Sequence, residues 1–130
     1  MNIESLRDYC LSLPLVTECF PFDESTLVFK VENKMFLYTG LDRDEKEICV
    51  KCDPEIAIQL RERYPEVTPG YHSNKRLWNS IQLSPALKDD LIKSWICHSY
   101  EEVVKKLPKI RRTQIMELIT RCEIWKPIEI

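Results

Sequence analysis

Residues 71–79 carry the side chains best suited to touch another molecule. This stretch, YHSNKRLWN, places aromatic rings beside amides and cations. Rings can stack on bases, cations can pair with phosphates, and amides can reach base edges. The same stretch also suits a turn into a strand with its rings packed on a sheet, so both interpretations stay open. The candidate nucleic-acid-binding residues here are Tyr71, His72, Asn74, Lys75, Arg76, Trp78 and Asn79.

The densest basic cluster of the chain is a second candidate contact surface. It runs from residue 105 to residue 112 and contains Lys105, Lys106, Lys109, Arg111 and Arg112. Such a cluster can neutralise phosphates or an acidic protein surface. More often such a cluster is simply a solvated helix end, where cations favour the negative end of the helix dipole.

Cys49 and Cys52 form a CxxC motif, which raises the question of a metal or a redox dithiol. On a strand, residues three apart point to opposite faces, so the two sulfurs cannot reach one metal unless the strand bends. The chain has no second CxxC and only two histidines. We therefore expect neither a metal nor a cofactor.

The sequence also predicts a protein that is not an enzyme. With two glycines in the chain, neither a phosphate-binding loop nor a dinucleotide fingerprint can form. His72 beside Ser73, and Cys97 beside His98, are neighbours in sequence only. Adjacency of this kind does not supply the geometry that a catalytic triad needs.

Length and composition favour one globular domain in the cytoplasm. The chain has 130 residues, of which 44% are hydrophobic and 31% charged, and no apolar run is long enough to cross a membrane. The N-terminal residues do not resemble a signal peptide, so the six cysteines are expected to be free thiols. A formal net charge of −2 means that any binding to DNA must come from a local patch.

The elements that must position these residues follow from periodicity and end signals. Helices are predicted from 3–13, from about 54–64 after Asp53 as N-cap, and from 85–98, 99–108 and 113–122. Ser99 and Glu102 fit a capping box, which predicts the helix break between residues 98 and 99. Strands are predicted at 26–31, 35–39 and 47–52, then near 69–72 and at 77–83. Strands in runs joined by short turns indicate an α+β fold with an antiparallel sheet.

Alternation predicts which face of that sheet is free. If Leu77, Ile81 and Leu83 face the helices, Trp78 points to the other face together with Lys51 and Lys30. The strand at 35–39 is ambiguous because Phe36 and Tyr38 are as apolar as their neighbours. The free face is either an open binding platform or a surface covered by the C-terminal segment, and the sequence does not decide between them.

Several separated motifs, taken in order, resemble the MmcQ/YjbR family. The resemblance covers residues 3 to 109. The motifs are Leu13-Pro14, Thr17-Glu18, Phe20-Pro21-Phe22, Leu27-Val28-Phe29-Lys30, Lys51-Cys52-Asp53-Pro54-Glu55, Pro69-Gly70-Tyr71-His72, Asn74-Lys75, Trp78-Asn79 and Lys106-Leu107-Pro108-Lys109.

This resemblance implies a two-layer fold of order α-β(3)-α-β(2)-α, with residues 1–109 as the domain. Residues 110–130 lie outside the resemblance and are predicted from their apolar stripe to be a C-terminal helical extension packed on the same domain. Members of the family are described as DNA-binding proteins, by analogy with a double-wing module. The architecture is also similar to that of secretion chaperones, so a protein-interaction module is the alternative function. Analogy of fold is a weak basis for function. The expectation of a DNA partner therefore rests on the two segments that carry cations, 71–79 and 105–112.

Overall fold

The computed structural model describes residues 1–71 and 73–130, and His72 lies outside them. The chain forms four helices and six strands within the described residues. In order they are α1 (Ile3–Ser12), β1 (Val16–Cys19), β2 (Thr26–Val31), β3 (Lys34–Gly40), β4 (Glu47–Lys51), α2 (Pro54–Arg63), β5 (Val67–Pro69), β6 (Trp78–Gln82), α3 (Asp89–Val104) and α4 (Lys109–Thr120).

The strands form one antiparallel sheet of order β1-β2-β3-β4-β6-β5. The α+β class with an antiparallel sheet is thereby confirmed. β1 is a strand that the sequence prediction did not include, and it pairs with β2 at the edge of the sheet.

Register divides the sheet into two faces. Phe29, Leu37 and Val50 are aligned across three neighbouring strands, and all three lie in the hydrophobic core against the helices. We call this the inner face. One residue further along the same strands, Tyr38 and Cys49 are aligned on the opposite, outer face. Trp78 also lies on the outer face, as alternation predicts, because it is three residues before the core residue Ile81 on β6.

A bulge determines which side chains of β3 face the core. Phe29 pairs with Leu37 and Lys30 pairs with Met35, so Phe36 has no partner on β2. The extra residue lets Phe36 and Leu37 both enter the core, and it turns Tyr38 outwards. Phe36 then meets the ring of Tyr100 edge-on, with the ring centroids 5.6 Å apart.

The helix α3 is continuous, and the predicted break before Ser99 is absent. Ser99 lies inside α3, where its hydroxyl donates to the carbonyl of Phe36 and accepts from the backbone N–H of Lys51 at 2.8 Å. The side chain predicted to cap a new helix instead fastens α3 to β3 and β4.

The C-terminal segment packs on the helices and not on the outer sheet face. Ile115 and Ile119 of α4 lie in the same core as the sheet. Beyond α4, the carbonyl of Ile124 accepts from the Tyr9 hydroxyl at 2.8 Å, and the Trp125 indole donates to Glu101 at 3.0 Å. The alternative in which this segment covers the outer face is thus not the one the structure adopts.

Candidate nucleic-acid interface

The middle of the 71–79 segment forms an exposed turn between β5 and β6. Tyr71 is 65% exposed, and the Lys75 ammonium lies 5.1 Å from the centre of its ring. Arg76 is exposed beside it. Asn74 shapes the turn: its side-chain oxygen accepts from the N–H of Arg76 at 3.0 Å, and its carbonyl accepts from the N–H of Trp78 at 2.9 Å. The prediction for His72 falls outside the described residues.

Trp78 is buried, although it is on the outer face. Its side chain is 9% exposed, and its ring lies 5.8 Å from that of Tyr38. The chain before the turn folds tightly against it, because a Cβ on Gly70 would come within 2.9 Å of the Cys49 sulfur and 3.0 Å of the Trp78 Cβ. Glycine at position 70 permits this close approach. Trp78 therefore supports the turn and presents no free ring to a base.

Asn79 is also buried and is held by a residue that the sequence did not single out. Arg61 of α2 donates to the Asn79 side-chain oxygen at 2.6 Å and to the Trp78 carbonyl at 3.2 Å. The same guanidinium also donates to the Lys75 carbonyl. No local signal marks Arg61, which sits among the charged residues of an amphipathic helix. Its role depends on contacts 14 to 18 residues away.

The basic segment 105–112 spans the end of α3 and the start of α4. Lys105 pairs with Glu102 at 2.7 Å, and Arg111 pairs with Glu32 in the turn between β2 and β3. Lys106 and Lys109 are exposed. Among the ion pairs that the described residues form, none includes Lys75, Arg76, Lys106 or Lys109.

Contacts bring the two basic segments to the same end of the sheet. β4 ends at Lys51, which pairs with Trp78 at the start of β6, and the Cys52 N–H donates to the Leu77 carbonyl at 2.8 Å. The next N–H, of Asp53, donates to the imidazole Nε2 of His98 at 3.1 Å. His98 is one helical turn before Glu102, the partner of Lys105.

We call this region the basic end. Among the described residues, the exposed cations that the two basic segments bring to it without a carboxylate partner are Lys75, Arg76, Lys106 and Lys109.

The His98 imidazole at the basic end is neutral. Its Nε2 accepts a backbone hydrogen bond, which a protonated ring could not do. Burial lowers the pKa of His98, against the opposing effect of Glu102, Glu101 and Asp53. His98 thus contributes structure to the basic end but no positive charge at neutral pH.

The two sulfurs of the CxxC motif lie in different surroundings. Cys49 is on the outer face beside Tyr38, and Cys52 is buried in the core on the helix side. Burial raises the pKa of both thiols. All six cysteines are free. Within residues 1–71 and 73–130, no three His, Cys, Asp or Glu side chains are grouped so that they could hold a metal ion.

None of the helices in the described part of the chain is both long enough and apolar enough to cross a membrane.

Comparison with known proteins links the chain to one family. A family model described as YjbR matches residues 11–102. The uncharacterized protein YbdF of Escherichia coli O157:H7 is 33% identical over 106 residues, which are 82% of this chain and 87% of that protein. The uncharacterized protein YjbR of Escherichia coli K12 is 29% identical over 118 residues, which are 91% of this chain and all of that protein.

Two solved structures share the fold. The Deinococcus radiodurans protein DR2400, described as a DUF419 domain, superposes with a TM-score of 0.82 at 35% identity and covers 88% of each chain. A Pseudomonas syringae protein superposes with a TM-score of 0.66 at 26% identity, over 76% of this chain and 96% of that one.

Proposed function

This chain belongs to the YjbR family, and from that membership and the arrangement of its cations we propose that it is a small DNA-binding protein that acts without catalysis and without a cofactor. The observation that supports the proposal is the basic end. Two basic segments that are about thirty residues apart in sequence contribute exposed cations at the same end of the sheet.

Phosphate contacts account for the binding in this proposal. Lys75 and Arg76 on the turn, with Lys106 and Lys109 at the helix junction, have no carboxylate partner to displace. Cations in this state can replace counterions along the DNA backbone, which makes affinity fall steeply with salt. Lys105 contributes less, because Glu102 already neutralises it at 2.7 Å. The buried Trp78 and Asn79 take no direct part.

Tyr71 adds a stacking surface to this electrostatic site. Its ring is largely exposed, and the Lys75 ammonium lies over the ring at 5.1 Å. A tyrosine and a lysine in this arrangement can receive an unpaired base and its phosphate. We therefore expect the protein to bind single-stranded DNA more tightly than a duplex of the same length.

Fluorescence anisotropy of labelled DNA at several salt concentrations tests the proposal. We expect micromolar binding at low salt, and each phosphate contact should contribute about 0.9 to the slope of log affinity against log salt. The double variants Lys75→Ala/Arg76→Ala and Lys106→Ala/Lys109→Ala should each weaken binding and reduce that slope.

A matched control removes the same charge elsewhere. Lys88 precedes α3 and Arg121 follows α4, so both lie at the far ends of the helices that meet at the basic end. The Lys88→Ala/Arg121→Ala variant should bind like the parent protein. Equal losses in all three double variants would show an effect of net charge alone, and an absence of binding at low salt would overturn the proposal.

A protein partner is the second candidate function, and exposed aromatic rings favour it. Phe20 and Phe22, in the loop between β1 and β2, are 49% and 67% exposed. Exposed aromatic residues this close together are typical of interaction surfaces. Binding to such a partner should resist salt and should be lost in a Phe20→Ser/Phe22→Ser variant that still binds DNA.

A further inference from the structure

A cleft of about 580 Å³ lies on the outer face of the sheet. It is bounded by the loop that leads into β2, by the loop between β3 and β4, and by Ser73 after β5. Its volume lies within the range of small-molecule sites, about 300–1,000 Å³. The proposed DNA contacts use none of its residues.

The floor of the cleft is preorganised. The Tyr38 hydroxyl and the Ser73 hydroxyl are hydrogen-bonded at 2.5 Å, so the segment after β5 is tied to β3. Cys49 and Ser80 lie beside them, and both are almost fully buried. Burial raises the pKa of Tyr38 to about 12, so its hydroxyl is neutral at physiological pH. The floor therefore presents an aromatic ring and uncharged polar groups.

The walls of the cleft combine apolar and acidic side chains. Met35 and Phe22 supply the apolar part, and Phe22 is an exposed ring at the mouth. Asp23, Asp42 and Glu47 supply three carboxylates.

One cation, Arg43, stands among these carboxylates and pairs with Glu47 at 3.3 Å. Asp23 remains ionised, because hydrogen bonds from Thr26 and Ser25 lower its pKa. The Lys46 ammonium donates to the Leu41 carbonyl at 2.8 Å and does not line the cleft. Among the described residues, the lining thus keeps an excess of two negative charges after the Arg43 pair is counted.

We propose that this cleft binds a small organic cation, a protonated amine carried on an aromatic or aliphatic body. The apolar body would lie against Met35 and Phe22, and the ammonium would lie between the carboxylates and the Tyr38 ring. Carboxylates and an aromatic face both attract an ammonium group, and a partly enclosed site strengthens that attraction. An anionic ligand would meet two carboxylates that no guanidinium neutralises.

Three probes of similar size and different charge test this proposal on the full chain. Phenethylammonium is the cation, 2-phenylethanol is the neutral analogue and 3-phenylpropionate is the anion. We expect phenethylammonium to bind with a dissociation constant on the order of 1 mM, about tenfold tighter than the alcohol, with no binding of the anion. Amide chemical shifts followed by NMR would locate the probe, since the residues lining the cleft should shift.

A matched pair of variants separates the cleft from general acidity. Asp42 lines the cleft, and Asp44 is an exposed carboxylate two residues later in the same loop that does not. Asp42→Asn should weaken phenethylammonium binding about fivefold, and Asp44→Asn should leave it within experimental error. Both variants are on the surface, so their thermal unfolding should match that of the parent.

Equal binding of the amine and the alcohol, equal effects of the two asparagine variants, or preference for the anion would each overturn the proposal.

Discussion

Trp78 lies beneath the turn that carries the exposed cations, and its burial links stability to the proposed binding surface. The ring packs against Tyr38, and the Trp78 carbonyl accepts from Gly70 at 2.9 Å and from Arg61 at 3.2 Å. The indole and the backbone of one residue thus hold both ends of the turn. Alternation predicts its face, but the sequence does not show that the preceding chain folds over it.

Replacing Trp78 with alanine should therefore destabilise the protein. We expect Trp78→Ala to lower the free energy of unfolding by about 3–5 kcal/mol, because it leaves a cavity between Tyr38 and Gly70. Tyr71→Ala is the matched control, since that ring is mostly exposed and its loss should change stability by about 0.5 kcal/mol or less. Urea unfolding followed by circular dichroism measures both. A Trp78→Ala variant as stable as the parent would show that the indole is not packed as described.

His98 should make stability depend on pH in one direction. Burial lowers its pKa in the folded state, so the unfolded chain takes up the proton first as pH falls. The contribution is complete above about pH 6.5, the ordinary histidine value, and is lost as pH falls from there through the lower folded pKa. The charged groups close enough to affect its pKa are Glu102, Glu101 and Asp53, which raise it, and Lys105, which lowers it.

His98→Gln isolates this effect, because an amide oxygen can accept from the Asp53 N–H without titrating. We expect the parent to lose more stability than His98→Gln between pH 7.5 and pH 5.5, measured as the midpoint of urea unfolding. Parallel losses in the two proteins would assign the pH dependence to other groups.

The hairpin of β2 and β3 is the element that the bulge and the turn define together. Val31 pairs with Lys34, so Glu32 and Asn33 form a two-residue turn, and their φ angles are 51° and 61°. Positive φ at both positions is the geometry that matches strand twist in short hairpins. Glu32 adopts this conformation, and its carboxylate pairs with Arg111, so the hairpin is fastened to α4.

Asn33 is the residue at which the turn can be tested. Asn33→Ala should lower the free energy of unfolding by about 1 kcal/mol, because alanine is strained at positive φ. Asn33→Gly should be within about 0.5 kcal/mol of the parent, because glycine adopts this φ freely. Thermal or urea unfolding distinguishes the two, and an alanine variant as stable as the glycine variant would contradict the assigned turn.

At the scale of elements, the sequence predicted those with strong local signals and missed those set by distant contacts. Asp53 caps α2 as expected, and Asn33 lies in the predicted turn. β1 was missed because four residues with a glutamate among them give no clear alternation. The break at Ser99 was predicted from a local capping pattern, but two hydrogen bonds to the sheet use that hydroxyl instead.

For the whole molecule, the order of helices and strands was enough to predict the fold class. The candidate interface was predictable only in part. The exposed cations fall in two short segments, so a pass along the sequence revealed them. Arg61 holds the turn and Glu32 pairs with Arg111 across the fold, and no pattern along the chain encodes such contacts.

The sheet separates charge along its strands. Thr26 pairs with Gly40 and Glu47 pairs with Gln82 at the end where the acidic loop between β3 and β4 lies, and the basic end is at the opposite ends of the same strands. In a molecule of net charge −2, exposed lysines and exposed carboxylates thus lie at opposite ends of one sheet. We expect an anionic chromatography matrix to contact the lysines and a cationic matrix to contact the carboxylates. Isoelectric point is consequently a poor guide to the adsorption of this protein.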